Sequence, residues 1–233
     1  MKDHMHIITL SFDDGFLNSN LKIAEIYEKN NLSACFNIIA TGHLNNFKSP
    51  DKGQGKIKKG DFKIWNELQK RGHEIMPHGY NHTNKSDVPF EEAQSLILNC
   101  LDIFNSELDN FDPLESIFNF PYNSSTPELE EWLLTVVKAF RTSGDAINPL
   151  PYKGMKKLTT TGFGPGNCES HLNDHKEKFL NGPPGWFIYN THGLEDEGWG
   201  PIGTDYLDEL LKRLTVIETV KILPAGQALK IIL

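Results

Sequence analysis

Two adjacent carboxylates, Asp13 and Asp14, follow a short apolar run and precede a glycine. Consecutive side chains of an extended segment point to opposite sides, so one carboxylate could bind a metal ion while the other faces a substrate. An ordinary turn is the alternative interpretation, because Asp-Asp-Gly is also common in turns.

Two histidines, His78 and His82, lie four positions apart, which places both imidazoles on the same side of a helical turn. This spacing suits two ligands of one metal ion, and a solvated loop is the alternative. Two imidazoles and one aspartate would leave a coordination position open, which is typical of catalytic rather than structural zinc sites.

A further histidine, His192, closes the apolar run Trp186–His192. A histidine in this place is more often structural than catalytic. Here, however, the aspartates, the histidine pair and His192 all fall where predicted strands end, and Phe118–Asn123 is another polar cluster at such an end. The carboxyl ends of the strands carry the active site in (β/α) barrels, so the coincidence favours function.

The elements that would position these residues alternate along the chain. The predicted strands are His6–Phe12, Ala34–Ala40, His73–Pro77, Ser116–Tyr122, Phe140–Arg141, Trp186–His192 and Val220–Leu223. The predicted helices are Leu21–Asn30, Asp61–Arg71, Pro89–Glu107, Pro127–Lys138, Cys168–Leu180 and Asp205–Ile217, and residues 42–59 form a polar loop. This alternation predicts an α/β fold with parallel strands. In a chain of this length it indicates a single distorted (β/α) barrel of about seven or eight strands over residues 1–233.

The composition limits the kinds of partner. The net charge of -8 gives no electrostatic footprint for nucleic acid and disfavours anionic membrane surfaces. The three cysteines form no CxxC pair, which argues against a disulfide framework and a cysteine zinc site. No apolar run is long enough for a signal-peptide core or a membrane span. We therefore expect a cytoplasmic location, although a mature secreted form would have the same sequence.

Taken in order, these residues resemble the motifs of the polysaccharide deacetylase family with the NodB homology domain, also called carbohydrate esterase family 4. The resemblance covers nearly the whole chain, and the family's fold is a distorted (β/α) barrel. The similar segments are Ser11–Gly15 for the first motif, His78–His82 for the second, Pro121–Tyr122 for the end of the third and His192 for the fifth.

The resemblance implies that Asp14, His78 and His82 bind one divalent metal ion, usually zinc. Such an ion polarises an amide carbonyl and lowers the pKa of water. The predicted cofactor is therefore a divalent metal, and the predicted substrate is a carbohydrate or a small amide.

The resemblance also implies the catalytic groups. Asp13 would be the general base, and the backbone N–H of Tyr122 would help to hold the oxyanion. His192 would be the general acid, because a histidine titrates near neutral pH and can protonate the leaving amine.

At one position the sequence departs from the family in a way that affects Asp13. The third motif usually begins with an arginine that pairs with the base, and Asn119 stands in its place. Arg141, at the predicted end of the next strand, could supply the guanidinium to Asp13. A surface arginine is the alternative interpretation.

Further departures surround the predicted site. Gly79 replaces a serine or threonine whose hydroxyl braces the second motif, a loss that can weaken metal affinity. Asp145 is the candidate for the carboxylate that tunes His192, with a loop carboxylate as the alternative. Asn190 replaces an apolar residue that lines the pocket for the acetyl methyl group. Trp199 could stack on a sugar ring or pack under the barrel rim, and the first is favoured because loops after barrel strands build the site.

Three functions remain open from the sequence. The favoured one is hydrolysis of N-acetyl groups of amino sugars or their polymers. The second is an amidase acting on a small non-sugar amide or cyclic ureide, which Asn190 would suit. The third is a non-catalytic carbohydrate-binding domain, which the loss of the third-motif arginine supports and the presence of both Asp13 and His192 opposes. The sequence indicates no oligomeric state.

Overall fold

A computed structural model describes residues 4–50 and 57–231, in which strands and helices alternate as predicted. The strands are β1 His6–Asp14, β2 Cys35–Ile38, β3 Glu74–Pro77, β4 Ile117–Asn119, β5 Ala139–Ser143, β6 Ile147–Asn148, β7 Lys157–Thr160, β8 Gly185–Thr191 and β9 Val220–Ile222. The helices are α1 Leu17–Lys29, α2 Phe62–Lys70, α3 Phe90–Glu107, α4 Pro127–Leu133, α5 Glu169–Leu180, α6 Thr204–Thr215 and α7 Ala225–Leu229.

The strands form two sheets. The first has the order β3-β2-β1-β8-β6, with β9 also paired to β1, and the second has the order β4-β5-β7. Every strand pair among the described residues is parallel except β6 with β8. The predicted α/β fold with parallel strands is therefore confirmed.

The two sheets adjoin at two edges, β3 against β4 and β7 against β8, and no continuous ladder of the described residues closes them into a barrel. On one side, Thr161 forms a single parallel bridge with Tyr189. On the other side, β3 and β4 share no ladder. Pro77 at the end of β3 and Pro121, two residues after the end of β4, have no N–H to donate, which limits pairing there.

The central strand β1 is buried along its whole length and separates an apolar layer from a polar one. Ile8, Leu10 and Phe12 pack in the main hydrophobic cluster under the helices. Ser11 and Asp13 point to the opposite side, as the alternation of a strand requires, and both accept hydrogen bonds from the Asn37 amide. The strand that builds the core thus also carries polar groups into the barrel interior.

Several boundaries differ from the prediction. The predicted helix 127–138 ends at Leu133, because the N–H of Lys138 already bonds to Ser116 at the entry to β5. Strands β6 and β7 and helix α7 were not predicted, since β6 has two residues, β7 is largely polar and α7 has five residues. Residues 51–56 of the predicted loop lie outside the described residues.

No helix in the described ranges combines the length and apolar character needed to cross a bilayer.

Candidate active site

The end of β1 places the two aspartates in different surroundings. Asp14 and the following Gly15 both have left-handed backbone conformations, with φ of 76° and 77°. This conformation is uncommon outside glycine and concentrates at functional sites. A side chain at position 15 would also press on Ile38 and Trp65, at about 3.2 Å. The glycine after the aspartate pair therefore permits the turn that aims the Asp14 carboxylate at the histidines.

Asp14, His78 and His82 come together as the sequence predicted. Oδ1 of Asp14 lies 3.3 Å from Nε2 of His82 and 3.6 Å from Nε2 of His78. All three residues are buried, and their ligand atoms lie within 4.8 Å of one another. Two imidazole nitrogens and one carboxylate oxygen form a donor set that suits a catalytic divalent ion such as zinc.

The orientation of His78 supports this interpretation. Its Nδ1 lies 3.0 Å from the backbone oxygen of Asn119, which can only accept, so Nδ1 carries the proton and Nε2 presents a lone pair. That Nε2 is buried and has no hydrogen-bond partner within residues 4–50 and 57–231. Burial lowers the pKa of His78 to about 4, although Asp13 and Asp14 oppose the shift. The ring is therefore neutral, as a metal ligand must be.

Asp13 is held by four hydrogen-bond donors. Its Oδ1 accepts from Asn37 Nδ2 at 2.7 Å and from Arg141 Nη1 at 3.0 Å. Its Oδ2 accepts from Arg141 Nη2 at 2.5 Å and from Asn190 Nδ2 at 2.6 Å. Burial alone would raise the pKa of Asp13, but the charge of Arg141, with smaller effects of His78 and His192, holds it well below its usual range. Asp13 is therefore ionised.

The predicted contact between Arg141 and Asp13 is present in the structure. Arg141 is 2% exposed and stands directly beside Asn119 in the β4–β5 register. The amide of Asn119 instead bonds to the carbonyl oxygen of Ile117 at 3.0 Å. The guanidinium that the family motif places on β4 thus comes from the adjacent strand at the same level, whereas the alternative of a surface arginine is wrong.

A cavity of about 300 Å³ opens over these groups. It is lined by Asp13, Asp14, His78, His82, Tyr122, Asn123, Asn190, His192 and Trp199. Asp13 and His192 therefore share one cleft, as the proposed acid–base chemistry requires.

Aromatic rings form part of the cavity rim. Tyr122 has a left-handed φ of 58°, and its ring lies 4.6 Å from that of His82. The Trp199 ring meets that of His192 edge-to-face at 5.7 Å. Tyr122 and Trp199 are 49% and 44% exposed, so both present ring surface at the cavity.

Asp145 lies elsewhere, contrary to expectation. It is exposed, does not line the cavity, and its carboxylate accepts a hydrogen bond from the N–H of Ile147 at 3.0 Å. This bond caps the turn that leads into β6, the antiparallel strand that the sequence did not reveal. The structure therefore does not bring Asp145 to His192, and the loop interpretation describes it better.

The backbone conformation explains why glycine stands at position 79. Its φ is 83°, and a Cβ there would lie 3.0 Å from Cγ of Pro121. A serine or threonine at this position would be strained. The backbone here therefore differs from that of a loop that is braced by a serine or threonine hydroxyl.

Two polar residues of the site were missed. Asn37 bonds to Asp13 and Ser11, and Asn123 donates from Nδ2 to Oδ1 of Asn190 at 3.0 Å. The only sequence signal for Asn37 is a single amide within the apolar run Ala34–Ala40. Asn190 lines the cavity as expected, but its amide is engaged with Asp13 and Asn123.

Comparisons with known proteins identify the family of the chain and structures that share its fold. The sequence model of a family described as polysaccharide deacetylase matches residues 2–135, more than half of the chain. No curated protein matches the chain.

Several solved structures share the fold at low identity. Peptidoglycan deacetylase PdaC from Bacillus subtilis is 16% identical with a TM-score of 0.59, over 95% of this chain and 89% of that one. A family 4 acetyl xylan esterase from Clostridium thermocellum, in complex with a cobalt ion, is 14% identical with a TM-score of 0.63, over 95% and 89%. BA3943, a family 4 pseudoenzyme from Bacillus anthracis, is 13% identical with a TM-score of 0.61, over 97% and 66%.

Proposed function

The chain belongs to the polysaccharide deacetylase family, and on that premise we propose that it removes N-acetyl groups from amino sugars or their polymers with the help of one divalent metal ion. One observation carries the proposal. The Asp14–His78–His82 cluster, Asp13 and His192 all line a single cavity.

The residues that would hold the metal have a chemistry that suits it. Asp14, His78 and His82 would bind zinc or a similar transition ion, because imidazole and carboxylate are typical ligands of such ions. When bound, the ion supplies Lewis acidity that polarises the acyl carbonyl and acidifies water.

The remaining groups move protons. Asp13, kept ionised by Arg141, takes one proton from the attacking water, and the hydroxide adds to the acyl carbon. His192 gives a proton to the leaving nitrogen as its bond to the acyl carbon breaks. The products are acetate, which keeps the oxygen of the water, and the free amine. The backbone N–H of Tyr122 is the proposed donor to the oxyanion.

The rim of the cavity supports a sugar substrate. Trp199 and Tyr122 expose aromatic surface on the two sides that carry His192 and His82. Aromatic faces pack well against the apolar faces of pyranose rings. A small ureide would need free polar groups in the cavity, but the amide of Asn190 already bonds to Asp13 and Asn123.

Acetate release from N-acetylglucosamine oligomers tests the proposal. We expect release by the zinc-loaded protein, loss of release after chelation, and recovery when zinc is returned. The Asp13→Asn variant should keep its bound zinc and lose turnover, because Asp14 and the two histidines remain. Equal acetate release by wild type and this variant, or oligomer binding without any release, would contradict the proposal.

A further inference from the structure

The carboxylate of Asp13 has no lone pair left for a proton. A carboxylate offers about four lone-pair sites on its two oxygens. Each oxygen of Asp13 already accepts two hydrogen bonds, from Asn37 and Arg141 on Oδ1 and from Arg141 and Asn190 on Oδ2. If Asp13 is the base of the proposed deacetylase, one of these donors must leave before the attacking water can transfer its proton.

Three of the four bonds come from groups fixed beneath the cavity. Asn37 and Arg141 are 0% and 2% exposed, and neither lines the cavity. Each also donates to Oγ of Ser11, at 2.6 Å from Asn37 and 2.5 Å from Arg141. These shared bonds hold both donors on the buried side of the carboxylate.

Asn190 differs from these two donors because it lines the cavity, as Asp13 does. Its side chain lines the cavity, and its Nδ2 lies 2.6 Å from Oδ2 of Asp13. Its Oδ1 accepts from Asn123, a residue that lines the cavity beside Tyr122. A molecule entering against this rim would therefore meet the Asn123–Asn190 bond directly.

We propose that Asn190 is a positioning residue that covers the cavity-facing lone pair of Asp13 Oδ2 and must yield it before turnover. The inference rests on the proposed function, because it concerns the base of that reaction. In this arrangement the Asn190 amide leaves Oδ2 only after the substrate has bound, so its release lowers kcat and leaves KM unaffected.

The Asn190→Ala variant tests whether Asn190 covers this lone pair, with Asn181→Ala as a matched control. Asn181 is an exposed amide that bonds to Glu177 before β8 begins, at the opposite end of that strand from the cavity. We expect the kcat of Asn190→Ala for N-acetylglucosamine oligomers to rise roughly threefold to tenfold with KM unchanged, the scale of one lost hydrogen bond. The control should match the wild type in both constants.

A second variant protects the test against misfolding. Asn123→Ala keeps the Asn190 amide but removes the donor to its Oδ1, so it should raise kcat in the same direction by a smaller factor. If the wild type releases acetate but kcat is unchanged or lowered in both variants, the proposed role of Asn190 is overturned and the deacetylase proposal stays intact. No acetate from any zinc-loaded protein would overturn both.

Discussion

At the residue scale, the charge that holds Asp13 comes from a different strand than in the motif that the chain resembles. Asn119 and Arg141 are neighbours in the β4–β5 register, so the guanidinium can move between strands and still reach the carboxylate. The position of Arg141 at a predicted strand end indicated this contact. The bonds of Asn37 and Asn123 were not predicted, because Asn37 is a single amide within an apolar run and the cluster Phe118–Asn123 gave no sign of which partner Asn123 would meet.

Replacing Arg141 tests whether β5 supplies the positive charge for Asp13 in place of β4. Arg141→Asn leaves a buried carboxylate without its cation, and breaking such a pair costs about 3 kcal/mol or more. We expect that loss in the free energy of unfolding measured with urea, together with loss of turnover. The double variant Asn119→Arg with Arg141→Asn should recover part of both. A double variant no better than the single one would show that β4 cannot replace β5 as the source of the charge.

The glycine after His78 provides another test at this scale. Gly79→Ser would restore the family residue but place a side chain at a φ of 83° and 3.0 Å from Pro121. A left-handed conformation costs other residues about 1–2 kcal/mol, so we expect a loss of that size in thermal or urea unfolding. Gly166→Ser is the control, since nothing lies within 4 Å of its added Cβ. Stabilisation by Gly79→Ser would show that the backbone can adopt the family geometry.

At the element scale, one ion-pair cluster ties α1 to the segment between α2 and β3. Arg71 donates two hydrogen bonds to Glu28, at 2.7 and 2.8 Å, and His73 Nε2 lies 2.9 Å from the same carboxylate. His73 Nδ1 accepts from the N–H of Ala34, so the ring is neutral and donates to Glu28 through Nε2. The cluster thus fixes the entry to β2 and β3, the strands that lead to Asn37 and His78.

The stability of this cluster should depend on pH. The hydrogen bond from Arg71, together with that from His73, lowers the pKa of Glu28 to about 2. A carboxyl whose folded pKa is depressed stabilises the fold above its unfolded pKa, and the effect is lost as pH falls from about 4.5 towards 2. Burial lowers the pKa of His73, so protonation of the unfolded chain below about pH 6.5 destabilises the fold in the same direction.

The Glu28→Gln variant isolates the carboxyl contribution. Its urea-unfolding midpoint should fall less steeply than that of the wild type between about pH 5 and pH 2. Glu25→Gln on the same helix is the control, because Glu25 pairs with Lys22 at the surface, where both side chains are exposed. Parallel pH profiles for wild type and Glu28→Gln would contradict this account.

The elements that the sequence revealed are those with long periodic patterns or continuous apolar runs. The buried strands β1 and β8 and the long helix α3 were evident, because burial on both faces or along one stripe leaves a clear pattern. The short strands β6 and β7 left no such pattern. The error over Asp145 has the same cause, since that residue belongs to the turn into β6.

At the scale of the whole molecule, the fold alone does not decide the activity. The structures that share it include a peptidoglycan deacetylase, an acetyl xylan esterase and a pseudoenzyme. One fold can carry different functions, and the activity depends on the groups that meet in the cavity. Asp13, the metal-ligand cluster and His192 all line it here.

The aromatic rim should set the preference for longer substrates. Trp199→Ala removes an exposed ring beside His192, and we expect KM for N-acetylglucosamine oligomers to rise about tenfold, as the loss of one packed apolar face implies. The kcat for a monomeric N-acetyl amide should change little. Tyr152→Ala is the control, because Tyr152 is 57% exposed and does not line the cavity. Equal effects of the two variants on KM would show that Trp199 takes no part in substrate binding.

Anomalous diffraction at the zinc edge, from crystals soaked in zinc and an N-acetylglucosamine oligomer, locates both the metal ion and the substrate. We expect one strong peak at about 2.0–2.2 Å from Asp14, His78 and His82, with the N-acetyl group of the sugar turned toward it between Asp13 and His192. A peak at another site, or sugar bound with its N-acetyl group away from a filled metal site, would contradict this expectation.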